Sequence, residues 1–445
     1  MLAASLRVNR NTVVAAYREL VAEGWAIVRP GGGTYIAEAM PEPRPRGVAR
    51  ALRPEAVARI PHFAMIGGGP PALAERYPPG TLAMAGGVPD TRLLPTALFA
   101  RALRGAMTAR DASEMLGYGD PRGDRRLRTA VAGMVRETRG VPARPEDTLV
   151  VRGSQMALAL IARAVVPSGG TIAVETMGYP SAWAAFASVK ARLVPVPVDT
   201  RGLDVEALRS LTQNERIHAI YVTPHHQYPT TVTLTPGRRS ALLDLARRER
   251  FAIIEDDYDH ELHYEGRPVL PLASADTHGS VLYVGSLSKV LAPGLRLGYV
   301  VAPAPVVERL ARERFVIDRQ GDHAVERAAA ELIEDGTLAR HVRRMRRVYM
   351  ARRDHLVDRL QRTFGDRIEV RPPSGGMALW VHVRLAPSKV VLWEKRALEQ
   401  GVAFVAGERF AFDGRSVPFA RIGFASLAED EMREAVIRLE RAFRR

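Results

Sequence analysis

The segment SLSKVLAPGLRLG places a lysine, Lys289, among small and apolar residues in a chain where only four of the 64 basic residues are lysines. An aldehyde is captured by a neutral amine. A desolvated lysine supplies one and a guanidinium effectively never does. Lys289 is therefore a candidate Schiff-base residue, against the plainer reading of a solvated loop lysine like Lys190, Lys389 and Lys395.

Three further groups decide between these readings. The run FAIIED ends in Asp256 and is followed directly by Asp257 and Tyr258. A carboxylate buried beside a pyridine nitrogen keeps that nitrogen protonated, and a neighbouring tyrosine can hydrogen-bond a phenolic oxygen on the same ring. A metal site or a solvated acidic turn is the alternative. After TLVV comes RGSQMALALIARAVV, an apolar helix opening on Gly153, Ser154 and Gln155, so backbone N–H groups at its start can seat a phosphate. An ordinary serine N-cap would look the same. Ser286 and Ser288 flank the lysine, and Arg296 follows seven residues later, a residue type that binds phosphate bidentately. Together the groups suit a phosphorylated pyridine aldehyde, which needs an amine for its carbon, a carboxylate for its nitrogen and an anion cradle. Pyridoxal phosphate has all three features.

Such residues must be carried by rigid elements. Short β-branched runs recur between helical stretches at 148–151, 171–175, 192–198, 217–222, 251–256, 280–285 and 297–302. Strands buried on both faces and separated by helices predict a mainly parallel sheet in an α/β layer architecture, with ligands at the carboxyl ends of the strands. Beyond residue 330 a long basic helix over Leu338–Phe364 and short strands predict a smaller subdomain.

Composition bounds the rest. A chain of 445 residues, 47% hydrophobic, can bury a large core and is expected to hold two or three units. It has no cysteine, so disulfides, thiolate metal sites and a cysteine nucleophile are excluded. No metal site is assigned. No apolar run of about 18 residues and no secretion signal is found, so a cytoplasmic protein is expected. The net charge of +15 suits nucleic acid, yet residues 1 to 60 hold nine arginines against five glutamates, so the excess is spread along the chain.

At the amino terminus, MLAASLRV reads as the end of a helix, and NRNTVVAAYRELVAEG as a second helix capped by Asn9. Val13, Tyr17, Leu20 and Val21 give it a core face, leaving Arg10, Asn11, Thr12 and Arg18 to a partner. A recognition helix offers its first residues to base edges in the major groove. WAIVRPGGGTYIAE reads as a hairpin with a glycine-rich turn, a wing placing Arg29 near phosphate or the minor groove. A helix and hairpin that merely pack on the larger region are the alternative. We expect this head at residues 1–39, a Pro/Gly/Arg-rich linker at 40–77, and the large region at 78–445, divided near 118–330 and 331–445.

The chain resembles the fold-type I aminotransferases of class I, and more narrowly the MocR-like branch of the GntR transcription regulators. GGVPDTRLLP, YGDPRGDRRLR, RGSQMAL, ETMGYPSA, TPHHQYPT, IEDDYDHEL, SLSKVLAPGLRLGY and FARIGFA carry the resemblance in family order, and the head resembles the GntR winged helix-turn-helix from its second helix to its wing. The resemblance implies that Lys289 forms the internal aldimine, Asp256 pairs with the ring nitrogen and Tyr258 contacts the phenolic oxygen. It implies that Ser154, Gln155, Ser286, Ser288 and Arg296 hold phosphate, Tyr179 stacks on the ring, and Tyr118 reaches the phosphate of a partner subunit in a homodimer. Arg421 resembles the arginine that receives a substrate carboxylate. The chain departs from many aminotransferases at Tyr228-Pro229-Thr230-Thr231, where they carry Asn-Pro-Thr-Gly. It also opens midway through the family's winged-helix pattern, as expected either of a start assigned late or of a truncated head.

Two functions fit. One is a transcription regulator that binds operator DNA and senses an amine, amino acid or the cofactor itself through exchange at Lys289. The other is a working class I aminotransferase, moving an amino group between an amino acid and a 2-oxo acid, with a vestigial head. A decarboxylase or lyase on the same scaffold fits less well.

Overall fold

The structure, a computed structural model, describes residues 2–39, 62, 77–266 and 269–444. It divides into two units, residues 1–69 and 70–445. The linker expected over 40–77 lies outside the described residues apart from His62 and Tyr77.

The first unit is a short helix, Leu2–Ser5, a second helix, Arg10–Ala22, and a hairpin of Ala26–Arg29 with Gly33–Ile36. Asn9 caps the second helix: its side chain accepts from the Asn11 N–H at 2.9 Å, satisfying one of the donors that a helix start leaves unpaired. The expected core face is only partly covered. Val13, Tyr17 and Val21 share a groove with Val28 and Thr34, but Tyr17 and Leu20 stay exposed, and among the described residues of this unit Ala26 alone is buried. One helix and one hairpin have too little apolar area to enclose each other.

The second unit is built on a seven-stranded sheet. All seven apolar runs read from the sequence are its strands: Thr148–Val151, Thr171–Glu175, Arg192–Val196, Ile217–Val222, Ala252–Asp257, Val281–Ser286 and Gly298–Val301. In space their order is 148, 298, 281, 252, 217, 171, 192 by first residue, and only the Gly298–Val301 strand runs antiparallel to its neighbours. The sheet is thus mainly parallel, as helix crossovers require. Because strand side chains alternate, successive residues enter different cores. Ile253 and Tyr283 pack with the helices Arg125–Arg139 and His323–Glu334 on one face; Ile254 and Val284 pack with Ser154–Val165 and Ala304–Ile317 on the other.

A second, smaller layer follows. The helix predicted over 338–364 runs from Thr337 to Phe364 and covers an antiparallel sheet containing Ile368–Val370, Ala378–Val383, Val405–Ala406 and Phe419–Gly423. This layer recruits an early segment: Leu82–Ala83 pairs with Val402–Ala403, and Met84 sits fully buried in its core. That brings Gly86 and Gly87 to the carboxyl edge of the large sheet.

No helix among the described residues is long and apolar enough to cross a membrane.

Candidate functional site

At the carboxyl ends of the central strands lies a cavity of about 650 Å³, lined by Ser154, Tyr179, Tyr221, Asp256, Tyr258 and Lys289 among others. Lys289 is half-buried there, and its Nζ donates to the carbonyl oxygen of Gly87. Burial pushes its ammonium down to about 8, with Asp259 and Asp256 pulling upward and Arg421 and Arg296 downward. The position therefore offers a substantial fraction of neutral amine near neutrality.

Asp256 and Asp257 close the same strand but face opposite ways. Asp256 faces the cavity. It accepts the Tyr221 hydroxyl at 2.9 Å on Oδ2, while Oδ1 is buried without a partner. Burial raises its carboxyl to about 7, the Tyr221 bond working against that rise and the Asp257 charge adding to it. Asp257 points into the other core, where it accepts from the Tyr283 hydroxyl at 2.6 Å and lies 3.0 Å from His260 Nδ1 and 3.9 Å from Arg139 Nε. Burial would raise its pKa too, but His260 and Arg139 hold it well below the carboxylate range. An orphaned acceptor inside a cavity calls for a donor. A protonated ring nitrogen would be one such donor.

The anion cradle assembles at the start of the Ser154–Val165 helix. Gly153 has φ +79°, and a Cβ there would stand 2.8 Å from Arg296 Nη2. Only glycine admits the guanidinium this close to the helix N–H groups. Arg296 is itself left-handed at φ +52° and donates to the Arg152 carbonyl at 2.9 Å. Ser286 and Ser288 are buried in the turn leading to the lysine, the Ser288 N–H bonding Ser286 Oγ at 3.1 Å. Gln155 turns elsewhere: its amide donates to the Ser181 carbonyl at 2.6 Å, holding the loop that carries Tyr179.

The aromatic wall has a member that sequence reading treated only as a departure. Tyr228 makes edge contacts with Tyr179, Tyr258 and Phe410 at ring separations of 5.2, 5.9 and 5.5 Å. The guanidinium of Arg421 lies 4.3 Å from the Tyr228 ring centre, and its Nη1 donates to the Pro229 carbonyl at 2.9 Å. Arg421 is buried and near Lys289, but does not line the cavity. Tyr258 donates its hydroxyl to the His226 carbonyl at 3.1 Å. Tyr118 stands apart: it is 82% exposed, with Arg319 stacked 3.8 Å over its ring.

Tyr221, Gly87 and Arg409 also belong to the site and were missed. Tyr221 sat inside an apolar strand run, and a period-two pattern does not say which face meets a ligand. Nothing in the sequence marks Gly87 or Arg409 as neighbours of Lys289.

In the first unit, Arg10, Asn11 and Thr12 occupy the exposed first turn of the Arg10–Ala22 helix. Arg29, on the hairpin, is 59% exposed, lies 5.3 Å from the Tyr35 ring centre and pairs with Glu38 at 3.4 Å.

Residues 85–439 match the family model of aminotransferase class I and II, and residues 1–36 match that of bacterial regulatory proteins of the gntR family. The chain is 34% identical to "Probable rhizopine catabolism regulatory protein MocR" of Rhizobium meliloti, over 100% of this chain and 88% of the relative. It is 32% identical to aromatic-amino-acid aminotransferase 1 of Thermococcus litoralis, over 80% of this chain and 87% of that enzyme. Among solved structures, the α-aminoadipate aminotransferase of Thermus thermophilus complexed with N-(5'-phosphopyridoxyl)-L-leucine superposes with a TM-score of 0.75 and 30% identity, covering 82% of this chain and 92% of that one.

Proposed function

Because the chain belongs to the aminotransferase class I and II family and, over its whole length, to the MocR-type regulators with a gntR-family head, we propose that it controls transcription through an effector captured at Lys289. Its cofactor is pyridoxal phosphate. Bound in the cavity, that group supplies an aldehyde which amines attack reversibly and a ring that withdraws electrons.

The chain's own residues then have distinct tasks. Lys289 Nζ, held near the pKa of a usable nucleophile, is the amine that would hold the group at its aldehyde carbon and against which an effector amine would compete. Asp256 Oδ1 would accept a hydrogen bond from the protonated ring nitrogen, and Tyr221 fixes that carboxylate from behind. Ser154, Ser286, Ser288 and Arg296 hold the phosphate, with Gln155 bracing the Tyr179 loop beside it. Tyr179 stacks on the ring and Tyr258 meets its phenolic oxygen. Tyr118, exposed on its own subunit, reaches the phosphate of the second copy in a homodimer. Arg10, Asn11 and Thr12 read base edges of operator DNA and Arg29 steadies the backbone, a task that suits a cytoplasmic protein.

The union in one chain of a gntR-family segment with an aminotransferase-family region carrying Lys289 and Asp256 in one cavity carries this reading. Effector capture shifts DNA affinity only if the effector favours one arrangement of the protein over another. Arg421 keeps an unpaired Nε beside its bond to the Pro229 carbonyl, so it can still receive the carboxylate of an amino-acid effector. The test is an electrophoretic shift with DNA upstream of its own and neighbouring genes, using wild type and Lys289→Ala, with and without candidate amines. We expect sequence-selective binding whose effector response disappears in the variant. Sustained turnover of amino acid and keto acid without selective DNA binding would reverse the assignment.

A further inference from the structure

Behind the cofactor cavity three imidazoles converge from two separate segments. His225 and His226 lie in the turn after the Ile217–Val222 strand, and His263 lies beyond the Ala252–Asp257 strand. One ring nitrogen of each falls within 4.8 Å of the others. The rings of His225 and His226 are 4.2 Å apart at their centres, and those of His226 and His263 are stacked 14° from parallel at 5.9 Å.

The hydrogen-bond account of this cluster does not close. His225 and His226 are buried, 4% and 2% exposed. Both nitrogens of His225 and Nε2 of His226 lack any partner, while His263 has the Glu265 backbone beside its ring. A neutral imidazole carries one donor and one acceptor, and buried groups of either kind are almost always paired. The one bonded nitrogen is informative: His226 Nδ1 lies 2.9 Å from Asp259 Oδ1. A carboxylate on one nitrogen fixes the proton there and leaves a lone pair on the other, the arrangement that orients metal-binding histidines. His260 is close to His225, at 5.0 Å between rings, but its Nδ1 lies 3.0 Å from Asp257 and so takes no part.

We propose that His225, His226 and His263 bind a zinc-class divalent metal through one ring nitrogen each, with water completing the shell. Imidazole suits this class, and in a chain without cysteine it is the nitrogen route to such a site. Tetrahedral ligands at zinc bond lengths stand roughly 3.3 Å apart, so the cluster, whose nitrogens lie within 4.8 Å, tightens when the ion binds. The ion staples the two segments that wall the cofactor pocket, since Tyr258 bonds the His226 carbonyl and Tyr228 follows two residues later.

The experiment strips the full-length holoprotein with a chelator, reloads it with Zn²⁺ or Co²⁺, and measures metal per chain and the visible cobalt spectrum. His225→Gln, His263→Gln and the double variant run in parallel, with retained cofactor absorbance reporting the fold. We expect about one ion per wild-type chain, a tetrahedral cobalt band, and at least about tenfold weaker binding in each variant. Uptake well below one ion, an octahedral cobalt spectrum, or wild-type affinity in the double variant would overturn the site. Should the variants not fold, the wild-type stoichiometry and cobalt spectrum decide. The cofactor assignment stands or falls separately, on trapping at Lys289.

Discussion

Tyr221 donates its hydroxyl hydrogen to Asp256 Oδ2 at 2.9 Å from the neighbouring strand, and the other carboxylate oxygen is left buried and unpaired. This pair predicts an asymmetry between adjacent acids. Asp256→Asn removes the acceptor for the ring nitrogen and is expected to shift the bound cofactor's absorption titration. Asp257→Asn leaves that titration in place and instead weakens the fold through His260 and Arg139, by about 3–5 kcal/mol for a broken buried pair. Tyr221→Phe should weaken the Asp256 arrangement by about 1 kcal/mol. Absorbance titrations and thermal melts of the three variants make the comparison.

Lys289 is held down to about 8 by burial, against the pull of Asp259 and Asp256. Capture of added pyridoxal phosphate by cofactor-free protein should therefore accelerate with pH and level off above about 8, because protonated amine is unreactive. Stopped-flow absorbance from pH 6 to 10 reads this directly. Lys289→Ala should abolish borohydride trapping, and Lys289→Arg should not restore it.

Gly153→Ala sets a methyl group 2.8 Å from the Arg296 guanidinium at a backbone angle that alanine rarely adopts. We expect a loss of about 1–3 kcal/mol, felt more in phosphate affinity than in melting temperature. Calorimetric titration with pyridoxal phosphate, set beside a melt, separates the two.

Glu175 is buried beside Thr223, whose hydroxyl donates to it at 3.0 Å; burial raises its carboxyl from 4.5 to about 8, against its bonds from Gln227 and Thr223. The folded state thus keeps a proton that the unfolded chain releases near 4.5. The stability this confers is complete below that pH and is lost as pH rises through about 8. Glu175→Gln should flatten the decline between those limits in urea melts. A slope identical to wild type would assign the decline to other groups.

In the head, Asn11→Ala and Arg10→Ala should lower affinity for the cognate DNA by about 1–3 kcal/mol and relax selectivity at one base pair. Arg29→Ala should weaken all sequences alike and reduce the salt dependence. Binding isotherms at several salt concentrations distinguish these outcomes.

Sequence alone determined the chemistry and the scaffold. A lysine amid SLSKVLAPGLRLG, an acid pair ending FAIIED and a glycine opening an apolar helix name an aldehyde-binding site by reactivity, and seven β-branched runs between helices name the sheet. These signals are local, carried by residue type and by spacing of a few positions. Tertiary structure decided which of the two acids faces the cavity, because alternation puts Asp256 and Asp257 on opposite faces while strand order settles which face holds the ligand. Crossovers bring Tyr221 to Asp256, Gly87 to Lys289 and Tyr228 to Arg421 across 35, 202 and 193 residues of chain, from the numbering. The convergence of His263 on His225 and His226 was equally hidden. Contacts between distant segments depend on where the folded layers pass each other, and no short-range pattern encodes that.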